Sequence, residues 1–174
     1  MYYINKTFTI ELNNSYKIVY NLLDDYYMFV GRRDSMITVY KHIEEELVSD
    51  CTVSDATKGS WVNLVNPDPD ELSLINILTE IPTDVLKTAL DMEERSHVEL
   101  EDNYIFVVIN IPVVRGNDMY DTVPLGIFLT PDFFITVCLE ESEVLYPFIS
   151  NQLSTFYTYK KTRFLFQILY RTAT

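Results

Sequence analysis

Residues 104–139 constrain the fold of this chain more than any other stretch. Tyr104 to Val114 is dense in β-branched and aromatic residues and too interrupted to cross a membrane. Arg115-Gly-Asn-Asp118 supplies turn chemistry, because Gly116 and Asn117 tolerate positive φ. A second run follows from Met119 to Leu129. Thr130-Pro-Asp132 then turns the chain with the φ of Pro131 already set, and Phe133 to Leu139 completes a three-strand meander. A strand wetted on one face alternates apolar with polar, but several positions here are apolar on both parities, as in a strand covered on both sides. The rest of the chain must therefore supply helices for two faces. Pro112 has no N–H to give a sheet, so it belongs at a strand end, a free edge or a bulge.

The 174 residues suffice for a domain with its own core, and at 48% hydrophobic and 14% aromatic the chain is expected to fold. No apolar run reaches the length of a membrane helix, and no segment has the order of a signal peptide. Cys51 and Cys138 have no metal-ligand spacing and read as reduced thiols. The net charge is −13, and its distribution is uneven. In residues 1–35, Lys6, Lys17, Arg32 and Arg33 balance Glu11, Asp24, Asp25 and Asp34. Residues 144–174 carry Lys160, Lys161, Arg163 and Arg171 and no acid. The acidic excess therefore lies in residues 36–143. Such a field repels nucleic acid and attracts cations, so the Tyr-rich composition does not indicate base stacking.

Residues 1–35 read as an N-terminal extension, with a strand expected over Thr7 to Leu12. Met36 to Lys41 reads as the first strand of a domain. Met36 is expected to be the translation start, since Gly31 to Asp34 can be encoded by a purine-rich run resembling a ribosome-binding site; the mass of the native protein tests this. Trp61 to Val65 is a short strand, and Trp61 is expected to be buried. Asp68, Pro69 and Glu71 then give a helix start: a cap, a first-turn proline and a capping-box acid. Leu72, Ile75 and Leu78, with Leu74, Ile77 and Ile81, give that helix its apolar positions. Pro82 interrupts it, and a second helix runs from Thr83 through Leu90. Val98 to Leu100 is a strand pairing back across Glu101 to Asn103. Ser142 caps a helix expected over Val144 to Tyr159, and another begins at Lys161 with Phe164, Leu165, Ile168 and Leu169 apolar. The chain stops inside that helix, as expected of part of a longer protein.

Catalytic patterns are missing. There is no nucleophile elbow and no zinc spacing, and four glycines leave little for a phosphate loop. His42 and His97 stand alone as histidines and read as surface or satisfied side chains. No enzyme activity is expected.

The order of features over Met36 to Thr174 resembles the N-terminal cytoplasmic domain of the CorA family of magnesium and divalent-cation transporters. The residues that carry this are Trp61 to Pro67 leading into Asp70, Glu71 and Leu72; Leu86 to Leu90; Arg95; Val98 to Phe106; Pro124 to Leu129; and Phe133 to Val137. The resemblance implies a fold of the α/β (α+β) class, a three-layer α/β/α sandwich around a mixed, largely antiparallel sheet. It implies a homo-pentamer at the cytoplasmic face of the cell membrane. It also implies a stalk, two membrane helices and a Gly-Met-Asn loop, none of which occurs in these residues. In the family, cytoplasmic carboxylates at subunit interfaces bind Mg2+ and hold the channel closed. The function implied is an ion-sensing, regulatory domain of a transporter. The alternatives are a member handling Co2+ or Zn2+, a free-standing binding or scaffold protein that reuses the fold, and a metal-dependent hydrolase.

One departure bears on the site. The family's regulatory Glu-Asp pair aligns with Lys87 and Thr88 here. Asp84 and Asp91, four residues before and three after Thr88, are expected on one helix face, where they can replace the lost metal ligand. Both also fit as capping or solvated acids, since an acid in a first turn is favoured by the dipole alone. Mg2+ gives up water reluctantly and takes one or two carboxylates, so weak binding of about millimolar affinity is expected.

Overall fold

The structure is a computed structural model that describes residues 7–12, 16–21, 26–31, 36–115 and 119–174. It comprises two units, Met1–Ser35 and Met36–Thr174. The first contains an antiparallel sheet of β1 (Thr7–Leu12), β2 (Tyr16–Asn21) and β3 (Tyr26–Gly31), with Thr7 opposite Asn21 and Tyr16 opposite Gly31. The strand expected over Thr7 to Leu12 is β1.

The second unit is built on a sheet of seven strands. They are β4 (Ile37–Ile43), β5 (Glu46–Cys51), β6 (Trp61–Val65), β7 (His97–Leu100), β8 (Ile105–Val114), β9 (Tyr120–Leu129) and β10 (Phe134–Cys138), in the order β5-β4-β6-β10-β9-β8-β7. Only the pairing of β6 with β10 is parallel; all others in this sheet are antiparallel. Residues 104–139 form the meander expected of them, and β7 joins it across Glu101 to Asn103. Its first turn includes residues 116–118, which lie outside the described residues. Among the described residues four α-helices complete the unit: α1 (Pro69–Thr79), α2 (Thr83–Thr88), α3 (Tyr146–Ile149) and α4 (Lys161–Thr172).

Apolar residues of both parities are buried because the sheet is covered twice. On one face, Val62, Leu64, Ile135, Val137, Phe106, Val108 and Phe128 pack against Leu72 and Ile75 of α1, Leu86 of α2, and Ile81 and Ala89 beside them. On the other, Trp61, Phe134, Val107, Ile111, Leu125 and Ile127 meet Phe148 of α3, Phe164 and Ile168 of α4, and Phe156 between those helices. The fold is a three-layer α/β/α sandwich with a mixed, largely antiparallel sheet. Trp61 is fully buried, stacked on Tyr40 at 4.6 Å. Its indole N–H donates to Thr136 Oγ1 at 2.8 Å, and Thr136 in turn donates to Asn63 Oδ1 at 2.7 Å. These polar groups would be costly in a dry core, but here they satisfy one another across the parallel seam. Cys138 is buried as a free thiol, and burial pushes it above its ordinary value.

Pro112 sits where the geometry allows. β7 pairs only with Ile105 to Val108. Beyond that point, among the described residues, the outer side of β8 has no strand, and Asn110 N–H on that side donates to Ser96 Oγ instead. Backbone direction alternates with period two, so the missing N–H of Pro112 falls on the same free side and takes nothing from β9.

Two helix expectations are corrected. The helix expected over Val144 to Tyr159 is only α3, four residues long. Asn151 takes a left-handed φ of 53°, and residues 151–160 turn so that Phe156 enters the core between Phe148 and Phe164. Tertiary burial of one aromatic outweighs local propensity there. In α1, Leu72 and Ile75 are buried but Leu74 and Ile77 are exposed, Ile77 by 78%. The five apolar positions within α1 span more of the helix than one sheet face can cover.

Candidate functional site

The site expected from sequence lies at α2, and its position is set by the turn before it and the sheet below it. Helix α1 starts as predicted. Glu71 N–H donates to Asp68 Oδ1 at 2.9 Å, and Asp68 N–H donates to Glu71 Oε2 at 3.0 Å. The other oxygen, Glu71 Oε1, accepts from Met36 N–H at 2.7 Å and ties the helix to the start of the sheet. Glu80, left-handed at φ 61°, ends α1, and Pro82 opens α2. Leu86 and Ala89 turn inward and are fully buried. Ala89 rests on β9 at Gly126. A Cβ on Gly126 would lie 2.3 Å from that of Ala89, so only glycine lets the end of α2 sit this close.

That seating sends the polar residues of α2 outward. Asp84 lies in the first turn with its side chain 94% exposed, and Lys87 Nζ approaches its Oδ1 at 3.9 Å. Thr88 Oγ1 donates to the Asp84 carbonyl at 3.2 Å. Asp91 is also exposed but is not on the helix. Helix α2 ends at Thr88, and the chain continues through tight turns in which Leu90 N–H bonds Lys87 O and Asp91 N–H bonds Thr88 O. The expectation of a shared helix face for Asp84 and Asp91 is therefore corrected: the helix ends two residues short of Leu90, where Ala89 packs onto the sheet. Asp91 Oδ1 instead accepts from Glu93 N–H at 3.0 Å, fixing the turn that follows.

Several other acids are engaged. Arg115 makes a two-pronged pair with Glu140, at 2.8 and 2.5 Å, which raises the guanidinium above its ordinary value through that hydrogen bond first. Asp132 pairs with Lys58 at 3.2 Å. Asp55 accepts from the Thr52 hydroxyl and backbone N–H, bonds that lower its carboxyl. His97 Nδ1 donates to the Arg95 carbonyl at 2.7 Å, with Glu94 and Glu99 each 3.4 Å from the ring nitrogens. His42 bonds Thr158, as set out below. Both histidines are satisfied, as their isolation in sequence suggested. Among the described residues no group of three or more His, Cys, Asp or Glu side chains is placed to hold a metal ion. Within one copy of the chain, then, Asp84 and Asp91 offer two solvated carboxylates beside a lysine. That arrangement suits hydrated-ion contact and not a closed cage.

Sequence reasoning missed the partners of His42 and His97. Thr158 is 116 residues from His42, and no local pattern announces the pairing.

Comparison with known proteins gives a consistent picture. The family model described as "CorA-like Mg2+ transporter protein" matches residues 57–174. The fold is similar to the soluble domain of CorA from Methanocaldococcus jannaschii, at 19% identity and a TM-score of 0.62, over 79% of this chain and 56% of that one. The same 79% of the chain covers 44% of the complete CorA magnesium transporter from that organism, at a TM-score of 0.62 and 19% identity. The cytoplasmic domain of ZntB from Vibrio parahaemolyticus is similar at 13% identity and a TM-score of 0.63, over 78% of this chain and 56% of that one. At these identities the likeness is one of fold, and the chain spans about half the length of these relatives. No curated protein sequence matches the chain.

Proposed function

Because this chain belongs to the family of CorA-like Mg2+ transporter proteins, we propose that it is the cytoplasmic, ion-sensing domain of a divalent-cation transporter. The observation that carries this is the family match over residues 57–174. No helix among the described residues is long and apolar enough to cross a membrane. The role of this part is regulatory, and it carries no catalytic step.

The charge supports a sensing role. Copies of an acidic domain brought side by side in a homo-pentamer repel one another. A divalent ion bound between them offsets that repulsion, and its loss loosens the assembly. Asp84 and Asp91 are the carboxylates proposed to meet the ion, each from an exposed position facing a neighbouring copy. Lys87 beside Asp84 weakens the site, so Mg2+ binds through its water shell at about millimolar concentration. Co2+ and Zn2+ are the competing ions.

The test is limited proteolysis of the complete transporter in membranes across a Mg2+ titration, repeated with Co2+ and Zn2+. Protection is expected to rise with a midpoint of about millimolar in wild type. The double substitution Asp84→Asn with Asp91→Asn is expected to shift that midpoint upward several-fold and leave the fold intact. Coincident curves for wild type and double mutant would remove these residues from the sensor.

A further inference from the structure

Strand β4 outruns its neighbour. β6 begins at Trp61, which lies opposite Tyr40, so among the described residues β4 has no strand partner on that side beyond Tyr40. Its other side stays paired, with His42 opposite Leu47 of β5. The gap is filled by one residue from the far end of the chain. His42 N–H donates to Thr158 Oγ1 at 3.2 Å, and Thr158 N–H donates to His42 Nδ1 at 3.1 Å. Thr158 is fully buried. The imidazole is edged by Phe156 at 5.3 Å and by Tyr157 and Tyr159 at 5.1 and 6.4 Å between ring centroids.

The second of these bonds dictates a protonation state. A backbone N–H can only donate, so His42 Nδ1 must accept, and an accepting Nδ1 carries no proton. The ring is neutral, with its proton on Nε2. A protonated imidazole would present N–H to N–H and leave the buried Thr158 amide without its acceptor. We propose that His42 and Thr158 form a pH-sensitive latch, closed while the imidazole is neutral, that holds the connection from α3 into α4 against the sheet and releases it on protonation.

The surroundings agree with this direction. Burial pushes His42 below its ordinary value of 6.5. The charged and titratable groups around it are Lys41, Glu44, Glu45 and Glu46 on its own hairpin, and Tyr157, Tyr159 and Lys160 on the opposing segment. Lys41 Nζ is drawn to the Asp55 carbonyl at 3.3 Å. Lys160 Nζ lies over the Tyr157 and Tyr159 rings at 4.6 and 5.9 Å. Among the described residues no carboxylate forms an ion pair with His42, and burial is the cause that lowers it. The sign follows. A lowered folded-state value means that the unfolded chain binds the proton first as pH falls. The contribution of the latch is complete above about 6.5 and declines as pH drops toward the lower folded-state value.

The latch acts at a useful place. Two residues after Thr158, Lys160 leads into α4, and Lys161 Nζ grips the Thr130 carbonyl and, at 2.6 Å, that of Pro131. When His42 lets go, Lys161 and the buried Phe156 still anchor the ends while residues 157–160 loosen. The proposal is independent of the metal reading, since it involves neither Asp84 nor Asp91.

The experiment is hydrogen exchange of the whole 174-residue chain at several pH values between about 8 and 5, corrected for intrinsic chemistry and read at residues 154–160. Protection there is expected to fall about tenfold across this range, the equivalent of one net hydrogen bond. His42→Asn keeps an acceptor oxygen near the position of Nδ1 and does not titrate, so its protection is expected to stay flat. No fall in wild type, or an equal fall in the variant, overturns the latch. The wild-type protein alone also decides it. Nitrogen-15 NMR of the imidazole at pH 8 must show Nδ1 unprotonated, and a protonated Nδ1 would refute the proposal even if the variant failed to fold.

Discussion

Gly126 shows how one atom decides where a helix sits. Its missing Cβ is the space into which Ala89 fits, and through Ala89 it sets the end of α2. Gly126→Ala is expected to destabilise the protein by about 1–3 kcal/mol, the usual cost of forcing extra volume into a packed site. The double variant with Ala89→Gly should recover part of that loss, because the two methyl groups compete for one space. Urea denaturation of the two single variants and the double variant measures the coupling. Additive losses would show that the contact does not limit packing. Nothing in the sequence around Gly126 marks it, since a glycine inside a strand has several readings. Trp61 was legible by contrast: a large aromatic opening an apolar strand has few places to go but the core.

At the level of elements, local chemistry was readable and long-range chemistry was not. The start of α1 was visible because Asp68, Pro69 and Glu71 lie within four residues and their roles depend only on each other. The meander was visible because its turns and strands are consecutive. The real extent of α3 was not, because it depends on Phe156 reaching Phe148 and Phe164 across turns that no periodicity announces. The expectation of one helix face for Asp84 and Asp91 was overturned for the same reason. Asp84 was placed correctly in a first turn, but Asp91 left the helix because of a contact between Ala89 and a strand 37 residues on. The α1 start also yields a graded test. Asp68→Ala removes one cap and is expected to cost about 1 kcal/mol. Glu71→Ala removes the acceptor for both Asp68 N–H and Met36 N–H, and should cost about twice as much at net hydrogen-bond values. Equal midpoints in urea would mean that the link to Met36 adds nothing.

At the scale of the second unit, charge and topology are arranged separately. Acids crowd residues 36–143 and bases gather from Lys160 onward, whereas the sheet is assembled from two groups of neighbours. β5, β4 and β6 form one antiparallel group, and β7 to β10 form a continuous meander. The parallel seam joins these groups, and along it Asn63 and Thr136 are 73 residues apart. Closing that loop carries an entropic cost that the hairpins avoid. The order of assembly should follow: the meander forms early, and the seam forms after the main barrier. Ile127→Val, inside the meander, should then slow folding, whereas Val62→Ala, on the seam, should chiefly speed unfolding. Chevron plots of the two variants separate these cases, and a folding rate more sensitive to Val62 than to Ile127 would reverse the order. If the meander does lead, the centre of the finished sheet is the last part of it to close. Until then β10 presents a bare, apolar strand edge, and that interval is when this chain is most exposed to pairing with the wrong partner.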